Sequence, residues 1–589
     1  MTGTRGHEPT RRRASDGRAR AIACVVFGAA VLAVGLLAVG PVAAEAGPGQ
    51  ASDPLDGENG TTEVVVRFDP VDEDALGDAA GPPAVGTDAD ATVADLREHT
   101  SAERTAFDSF AASRPGVSVE RAFWLASALL VSVGGDDATA ADLRAVENVT
   151  RVHSNVAVEP VVASDAAGGP ASANSAADGS TPSIRPQAEA DPAGRHADGL
   201  ELIGVPTAWE RFDTRGAGAT VAVVDTGVDP THQDIALAGW ASFDENGTLV
   251  GDDPANASDP TGHGTHVAGV VAGGNASGTH VGVAPGAELY GVNAFGDDGT
   301  ATFASVVAAM EHATVAADAD VLQLSLGANG TYPGFISPVR NARATGTVVV
   351  AAVGNEGVNA SSSPANAYDA VAVGAVDGDR RVPAFSGGQT VDADAAFGVR
   401  PDDWPARYVV PDVTAPGVGI VSAEAGTTDG YVRRQGTSMA APHVSGVAAL
   451  AVAATDGRVA VPALEAAVVD AAVHPAAATA PDDRYGRGVV DAPAAVGASV
   501  AASPATPADA PDDGGANHSD GDDADGSEGD DADESDGDDA DGSEGDDADD
   551  GDEEPGGTNT SGRAPGLGVG TALGALAVVL AVVRARSGR

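Results

Sequence analysis

Four short stretches carry residue types that could perform nucleophilic catalysis. The first is Gly436-Thr437-Ser438-Met439-Ala440-Ala441-Pro442-His443, where a serine lies between small residues ahead of the apolar run 444–454. That run is rich in alanine and reads as a buried helix. With Thr437 as N-cap, Ser438 falls in the first turn. There the unpaired N–H groups and the positive dipole end can stabilise a developing oxyanion. Gly436 lets another backbone come close. The plain alternative is an ordinary capped core helix. The choice depends on whether the chain also supplies a base, an orienting acid and an oxyanion donor.

It contains candidates for all three. Asp225 ends the apolar stretch Val221-Ala222-Val223-Val224 and is followed by Thr226-Gly227. An acid there sits at the carboxyl edge of a buried strand, where open α/β sheets form their sites. His263, in Gly262-His263-Gly264-Thr265-His266, begins a helix and could take a proton from Ser438. His266 and His443 read as packed histidines. Asn355, in Gly354-Asn355-Glu356-Gly357, offers an amide to an oxyanion. The stretch Ser325-Leu326-Gly327 ends another strand, and its backbone could pair with an extended peptide. Together with Gly354 it forms the expected substrate-binding set.

The elements that must position these residues are strands at 220–224, 289–292, 321–326, 347–353 and 370–376. Helices are expected at 265–272, 302–317 and 438–454. Near-continuous apolar strands joined by helices imply an α/β fold, a parallel sheet with helices on both faces. Ahead of it, residues 61–162 read as a small α+β domain. Its strands are expected at 62–68, within 117–133 and at 149–158, and its helices at 94–112 and 140–148. The order β-α-β-β-α-β is that of a ferredoxin-like unit.

Composition frames the rest. The 589 residues carry 87 Asp and Glu against 32 basic residues, all of them arginine, for a net charge of −55. That balance argues against nucleic acid as a partner. It resembles the acidic proteins of extreme halophiles, in which salt screens self-repulsion. The one cysteine, Cys24, lies outside the expected domains, so these have neither disulfide nor thiol nucleophile. Arginines before an apolar run at 21–40 give residues 1–46 the layout of an export signal. Residues 163–195 read as a flexible linker. Residues 501–562 read as a disordered acidic stalk, with 24 carboxylates between 509 and 554. Residues 563–589 combine small apolar residues with terminal arginines, as a membrane anchor or sorting signal does.

Taken together, the motifs around Asp225, His263, Asn355 and Ser438 resemble those of the subtilisin-like serine proteases, the subtilases. In that family the triad runs acid, histidine, serine along the chain, and the same order is found here. The resemblance covers about 196–500 and implies Asp225 as orienting acid, His263 as base, Ser438 as nucleophile and Asn355 as oxyanion donor. It implies a serine endopeptidase that acts on proteins and peptides through an acyl-enzyme, with no cofactor for the chemistry. Residues 61–162 are similar to the family's propeptide, which implies an intramolecular inhibitor. Many members bind calcium, and Asp234 stands at a position that is often a ligand; no metal ligand is assigned. The stretch 565–570 resembles an archaeosortase-type sorting signal. The expected product is a monomer, exported and held at the cell surface by its C-terminus. A catalytically dead binding module and an acidic envelope protein are the rival readings. An insertion-like stretch between Ser386 and Pro411 has no expected role.

Overall fold

The computed structural model describes Leu55, residues 61–71, Leu76, and residues 83–86, 89–134, 137–161, 195–296, 299–398, 400–476 and 480–504. The expected export signal (1–46), nearly all of the expected linker, most of the expected stalk and the expected C-terminal anchor lie outside the described residues. The stalk's first residues, Ala501 and Ala502, end a helix, Ala492–Ala502, and Arg195 at the linker's end pairs with Thr279 in a short parallel bridge.

The amino-terminal part runs β1 (Thr61–Phe68), α1 (Asp90–Glu103), α2 (Thr105–Ala112), β2 (Val117–Phe123), β3 (Ala128–Gly134), α3 (Ala140–Arg144) and β4 (Val149–Ser154). Its antiparallel sheet has the order β2-β3-β1-β4. Alternation along β1 divides its side chains between two apolar layers. Val64 and Val66 pack with Phe107 and Leu129 in a core of this part alone. Val65 belongs to the same apolar cluster as Phe303 and Met310 of the larger part. Two expected elements are divided. The helix at 94–112 is two helices, and the strand at 149–158 breaks so that β5 (Ala157–Pro160) leaves the small sheet altogether.

The larger part is built on eight strands. They are β6 (Thr220–Asp225), β7 (Leu237–Phe243), β8 (Leu249–Gly251), β9 (Glu288–Asn293), β10 (Val321–Leu324), β12 (Val348–Ala352), β14 (Val371–Val376) and β17 (Val413–Pro416), in the order β17-β14-β12-β10-β6-β9-β7-β8. All pairs are parallel except the edge pair β7–β8. The interleaved β11 (Leu326–Asn329) and β13 (Ser362–Ser363) lie off this sheet, and β15 (Gln389–Asp392) and β16 (Arg407–Val410) form a separate short hairpin. Helices cover both faces. Val221 and Val223 point into a layer with α4 (His263–Ala272) and α6 (Thr437–Ala454), while Ala222 and Val224 point into one with α5 (Phe303–Val315). That is why these strands lack polar alternation. The α6 helix is apolar and long enough to cross a membrane, yet 89% of it is buried, as a core helix should be.

Strand order reverses at β6. The chain proceeds on one side of it to β7 and β9, and on the other to β10, β12, β14 and β17. This is a topological switch point, the place where an open α/β sheet leaves a crevice at the strands' carboxyl ends. The expected single strand at 321–326 is broken there. Ser325 leaves the main sheet because its hydroxyl donates to the Ser438 carbonyl at 2.9 Å, and β11 then continues in another sheet with β5 and β13.

A candidate serine-protease active site

Asp225, His263, Asn355 and Ser438 converge at this crevice. Asp225 ends β6, His263 opens α4, Asn355 follows β12, and Ser438 is the second residue of α6. Asp225 and Ser438 are fully buried and His263 is nearly so. The Asp225 Oδ1 accepts from His263 Nδ1 and from the Thr226 N–H, each at 2.7 Å. His263 Nε2 is buried without a hydrogen-bond partner among the described residues. Its imidazole therefore has one nitrogen committed to a carboxylate and the other free of any hydrogen bond among the described residues.

The histidine is held by a carboxylate that sequence reasoning passed over. Asp259 Oδ1 accepts from the Gly262 N–H at 2.9 Å and from Thr226 Oγ1 at 2.9 Å. Its Oδ2 accepts from the Thr265 N–H and hydroxyl, both at 2.7 Å. Asp259 thus caps α4 and ties it to the residue after Asp225. Burial pushes its carboxyl above the ordinary carboxylate value, opposed by the Thr265 donors. The signal available was an acid four residues before His263, at a helix start.

Thr437 has a different place from the expected one. Gly436, at φ +148°, is the N-cap, and Thr437 is the first helical residue. The Thr437 N–H donates to Asn355 Oδ1 at 3.0 Å, and its hydroxyl oxygen lies 3.1 Å from the same atom. The amide oxygen of Asn355 is thereby anchored, which turns its N–H group toward the cleft. The other two histidines are packing residues. Burial lowers His266 to about 3 and His443 to about 4, so both are neutral, bonded to the Ile420 and Met439 carbonyls.

The cleft is filled by the chain's own segment 157–161. β5 pairs antiparallel with β11, Pro160 opposite Leu326 and Glu159 opposite Gly327. The Val161 N–H donates to the Ser325 carbonyl at 3.0 Å. The Val161 carbonyl accepts from Asn355 Nδ2 at 2.9 Å and from the Ser438 hydroxyl. Ser325, Leu326 and Gly327 therefore meet an extended peptide through backbone groups. Gly354 does not bond to that segment. Its N–H faces Thr437 Oγ1 at 3.3 Å, and a methyl built on it would fall 2.8 Å from Ser362 Oγ.

Asp234 is held by hydrogen donors. Its Oδ1 accepts the Ala276 N–H at 2.7 Å and its Oδ2 accepts the Tyr431 hydroxyl. Each oxygen carries one hydrogen bond, and a calcium ion there would need further oxygen ligands converging on the same point. No group of three or more His, Cys, Asp or Glu side chains among the described residues could hold a metal.

With this geometry the comparisons with known proteins agree. The model of the subtilase family, Peptidase_S8, matches residues 216–488. Subtilisin BL and Subtilisin Savinase, both from Lederbergia lenta, are 38% identical over 252 residues, which is 43% of this chain and 82% of theirs. M-protease from Shouchella clausii (strain KSM-K16) is 38% identical over the same length, 58% of its own chain. The chain belongs to the subtilase family. It is a subtilisin-like serine endopeptidase, and the chemistry of that family needs no cofactor.

Replacing Thr437 by valine keeps the helix start and its N–H but removes the hydroxyl beside Asn355. The expected result is a fall in kcat of about three- to tenfold, from a less well oriented amide. KM should change little. Steady-state kinetics on a peptide substrate check this; an unchanged kcat would detach Thr437 from the site's function.

Proposed function

We propose that Ser438 is the nucleophile, His263 the general base and acid, Asp225 the orienting acid, and Asn355 an oxyanion donor, in a protease that first cuts its own chain after Val161. One observation carries this reading. The Val161 carbonyl accepts from Ser438 Oγ and Asn355 Nδ2 at once, while its strand pairs with the cleft. These contacts set the carbonyl beside the nucleophile with its oxygen on an amide donor, as substrate binding requires before the serine proton turns to the base.

The steps follow from the atoms present. The Ser438 hydroxyl turns its proton to His263 Nε2, and Oγ bonds to the Val161 carbonyl carbon. Asp225 accepts the Nδ1–H throughout and stabilises the imidazolium. The negative charge that develops on the Val161 oxygen meets the Asn355 N–H and the N-terminus of α6. The bond to residue 162 breaks as His263 returns the proton to the leaving amine. Water, deprotonated by His263, then releases the Val161 carboxylate from Ser438. Protein and peptide substrates follow the same course once segment 157–161 has left. Ser438→Ala should yield an uncut chain and no turnover. Mass spectrometry of the parent enzyme should find a fragment ending at Val161. Cleavage at that bond by the alanine variant expressed alone would refute the assignment.

Residues 61–161 are then an inhibitory propeptide, held by more than its last residues. Glu311 of α5 accepts the Leu125 N–H at 2.9 Å, and Arg121 lies 3.6 Å from its other oxygen. Burial pushes Glu311 up to about 7, opposed by the Leu125 N–H and by Arg121. Release exposes Glu311 and returns it toward the ordinary value. Because the bound form has the raised pKa, binding takes up a proton. Affinity is greatest at acid pH, weakens as pH rises to about 7, and is level above. Activity after processing should therefore appear faster at pH 8 than at pH 5, and Glu311→Gln should flatten that difference. An equal pH dependence in the variant would remove Glu311 from the release step.

The reading extends to an exported monomer with no nucleic-acid partner, anchored at the cell surface and adapted to concentrated salt. Support comes from the signal-like residues 1–46, the apolar C-terminus and the net charge of −55. Peptidase activity that is as high at about 0.1 M salt as at molar salt would contradict the adaptation.

A further inference from the structure

The stretch from Gly387 to Val410 is a hairpin module whose apolar side chains join the core of the larger part. β15 and β16 pair antiparallel, with the helix Ala393–Phe397 between them. Val391, Phe397, Trp404 and Val410 are buried, and the Phe397 and Trp404 rings meet edge to face at 5.6 Å. The module is fastened to one segment in particular, residues 354–369, which begins beside Asn355. The Gly387 N–H donates to the Gly354 carbonyl at 2.9 Å. Gly388 exchanges two backbone bonds of 2.8 Å, with the Asn359 N–H and the Ala360 carbonyl. Gln389 Nε2 donates to Ser361 Oγ at 2.5 Å, and the Tyr408 hydroxyl donates to the Asn366 carbonyl at 2.6 Å. Trp404 Nε1 donates to Asp369 at 2.6 Å.

The segment so held is a wall of the substrate cleft. β13 pairs with β11 on the edge opposite the 157–161 ribbon, Ser363 opposite Ala328 and Ser362 opposite Asn329. A methyl built on Gly327 would lie 2.9 Å from Ser362 Cβ and 3.6 Å from Val161 Cγ2. The Val161 side chain and Ser362 thus share the space left by the missing Gly327 side chain. Ser362 Cβ and the Ser363 carbonyl oxygen border that space, and Ser361 and Asn366 flank them in the chain. Asn366 Nδ2 donates to the Gly330 carbonyl just past β11 and to Ser361 Oγ within the wall.

We propose that the Gly387–Val410 module sets the selectivity of the cleft for the residue before the scissile bond. Gln389 and Tyr408 are its positioning residues, and neither bonds to the segment that occupies the cleft. By fixing Ser361 and Asn366 from behind, they keep the pocket narrow, fit for a small β-branched side chain such as valine and closed to an aromatic one. This rests on the reading of segment 157–161 as a bound substrate strand.

The test uses Gln389→Ala and Tyr408→Phe, singly and together, in the processed full-length enzyme. Two peptide p-nitroanilides are compared, with valine or phenylalanine before the scissile bond. Acylation of Ser438 by a small fluorophosphonate, which does not use that pocket, is followed in parallel. The parent enzyme should prefer valine. In the double variant the ratio of kcat/KM for valine over phenylalanine should fall by about three- to tenfold, mainly through KM, with acylation changed less than about twofold. A ratio that stays put overturns the proposal. So does a parallel loss on both substrates and on acylation, which would make the module a general stabiliser. Failure of the parent enzyme to react with the fluorophosphonate would instead sink the serine-nucleophile reading, and the pocket assignment with it.

Discussion

The site depends on a buried carboxylate kept in place by donors. Asp225 has no contact with solvent, and an ion there is costly unless hydrogen bonds offset the loss of water. Two bonds of 2.7 Å converge on its Oδ1, from His263 and from the next residue's N–H. This constraint reaches outward. The histidine must arrive on a helix whose first turn faces the end of β6, and Asp259 caps that helix while holding Thr226. The strand must stand at the centre of the sheet, where crossovers diverge and leave room for a helix start. The parallel sheet is thus the device that brings one acid and one imidazole together out of water.

Much of this geometry was legible in the sequence because each chemical residue sits at the boundary of a strongly patterned element. Asp225 ends an apolar strand, His263 and Ser438 open helices, and glycines flank Asn355. The covered sheet was legible for the same reason, since strands buried on both faces lose their polar alternation. What could not be read is whatever depends on contacts distant in the chain. Thr437 looks like an N-cap locally, but its partner Asn355 lies 82 positions earlier. Asp259 looks like a turn acid until the Thr226 hydroxyl arrives from 33 positions away. The break of the expected strand at Ser325 comes from a bond to Ser438, which periodicity cannot register.

The amino-terminal part shows the same division. Strand and helix periods appear in the sequence, yet nothing local says that residues 157–160 leave one sheet to join another. That switch follows from free backbone edges: β11 offers unpaired groups on one side, and an extended segment close at hand satisfies them. Glu311 illustrates the converse. It sits on a helix that is apolar over most of its length. Only when the hairpin between β2 and β3 covers it does its carboxylate become the acceptor for another part's backbone.

The ribbon formed by Glu159, Pro160 and Val161 belongs to the same chain as the cleft it fills. A tethered segment of this sort meets its site at an effective concentration of about millimolar, whatever the dilution of the protein. Occupancy in the intact chain is therefore blind to how much protein is present, and a free peptide of equal affinity must exceed that effective concentration to displace it. Once the tether is gone, the same contacts become an ordinary bimolecular equilibrium, and crowding or dilution begins to matter. The intact molecule keeps its own time; the divided one answers to its surroundings.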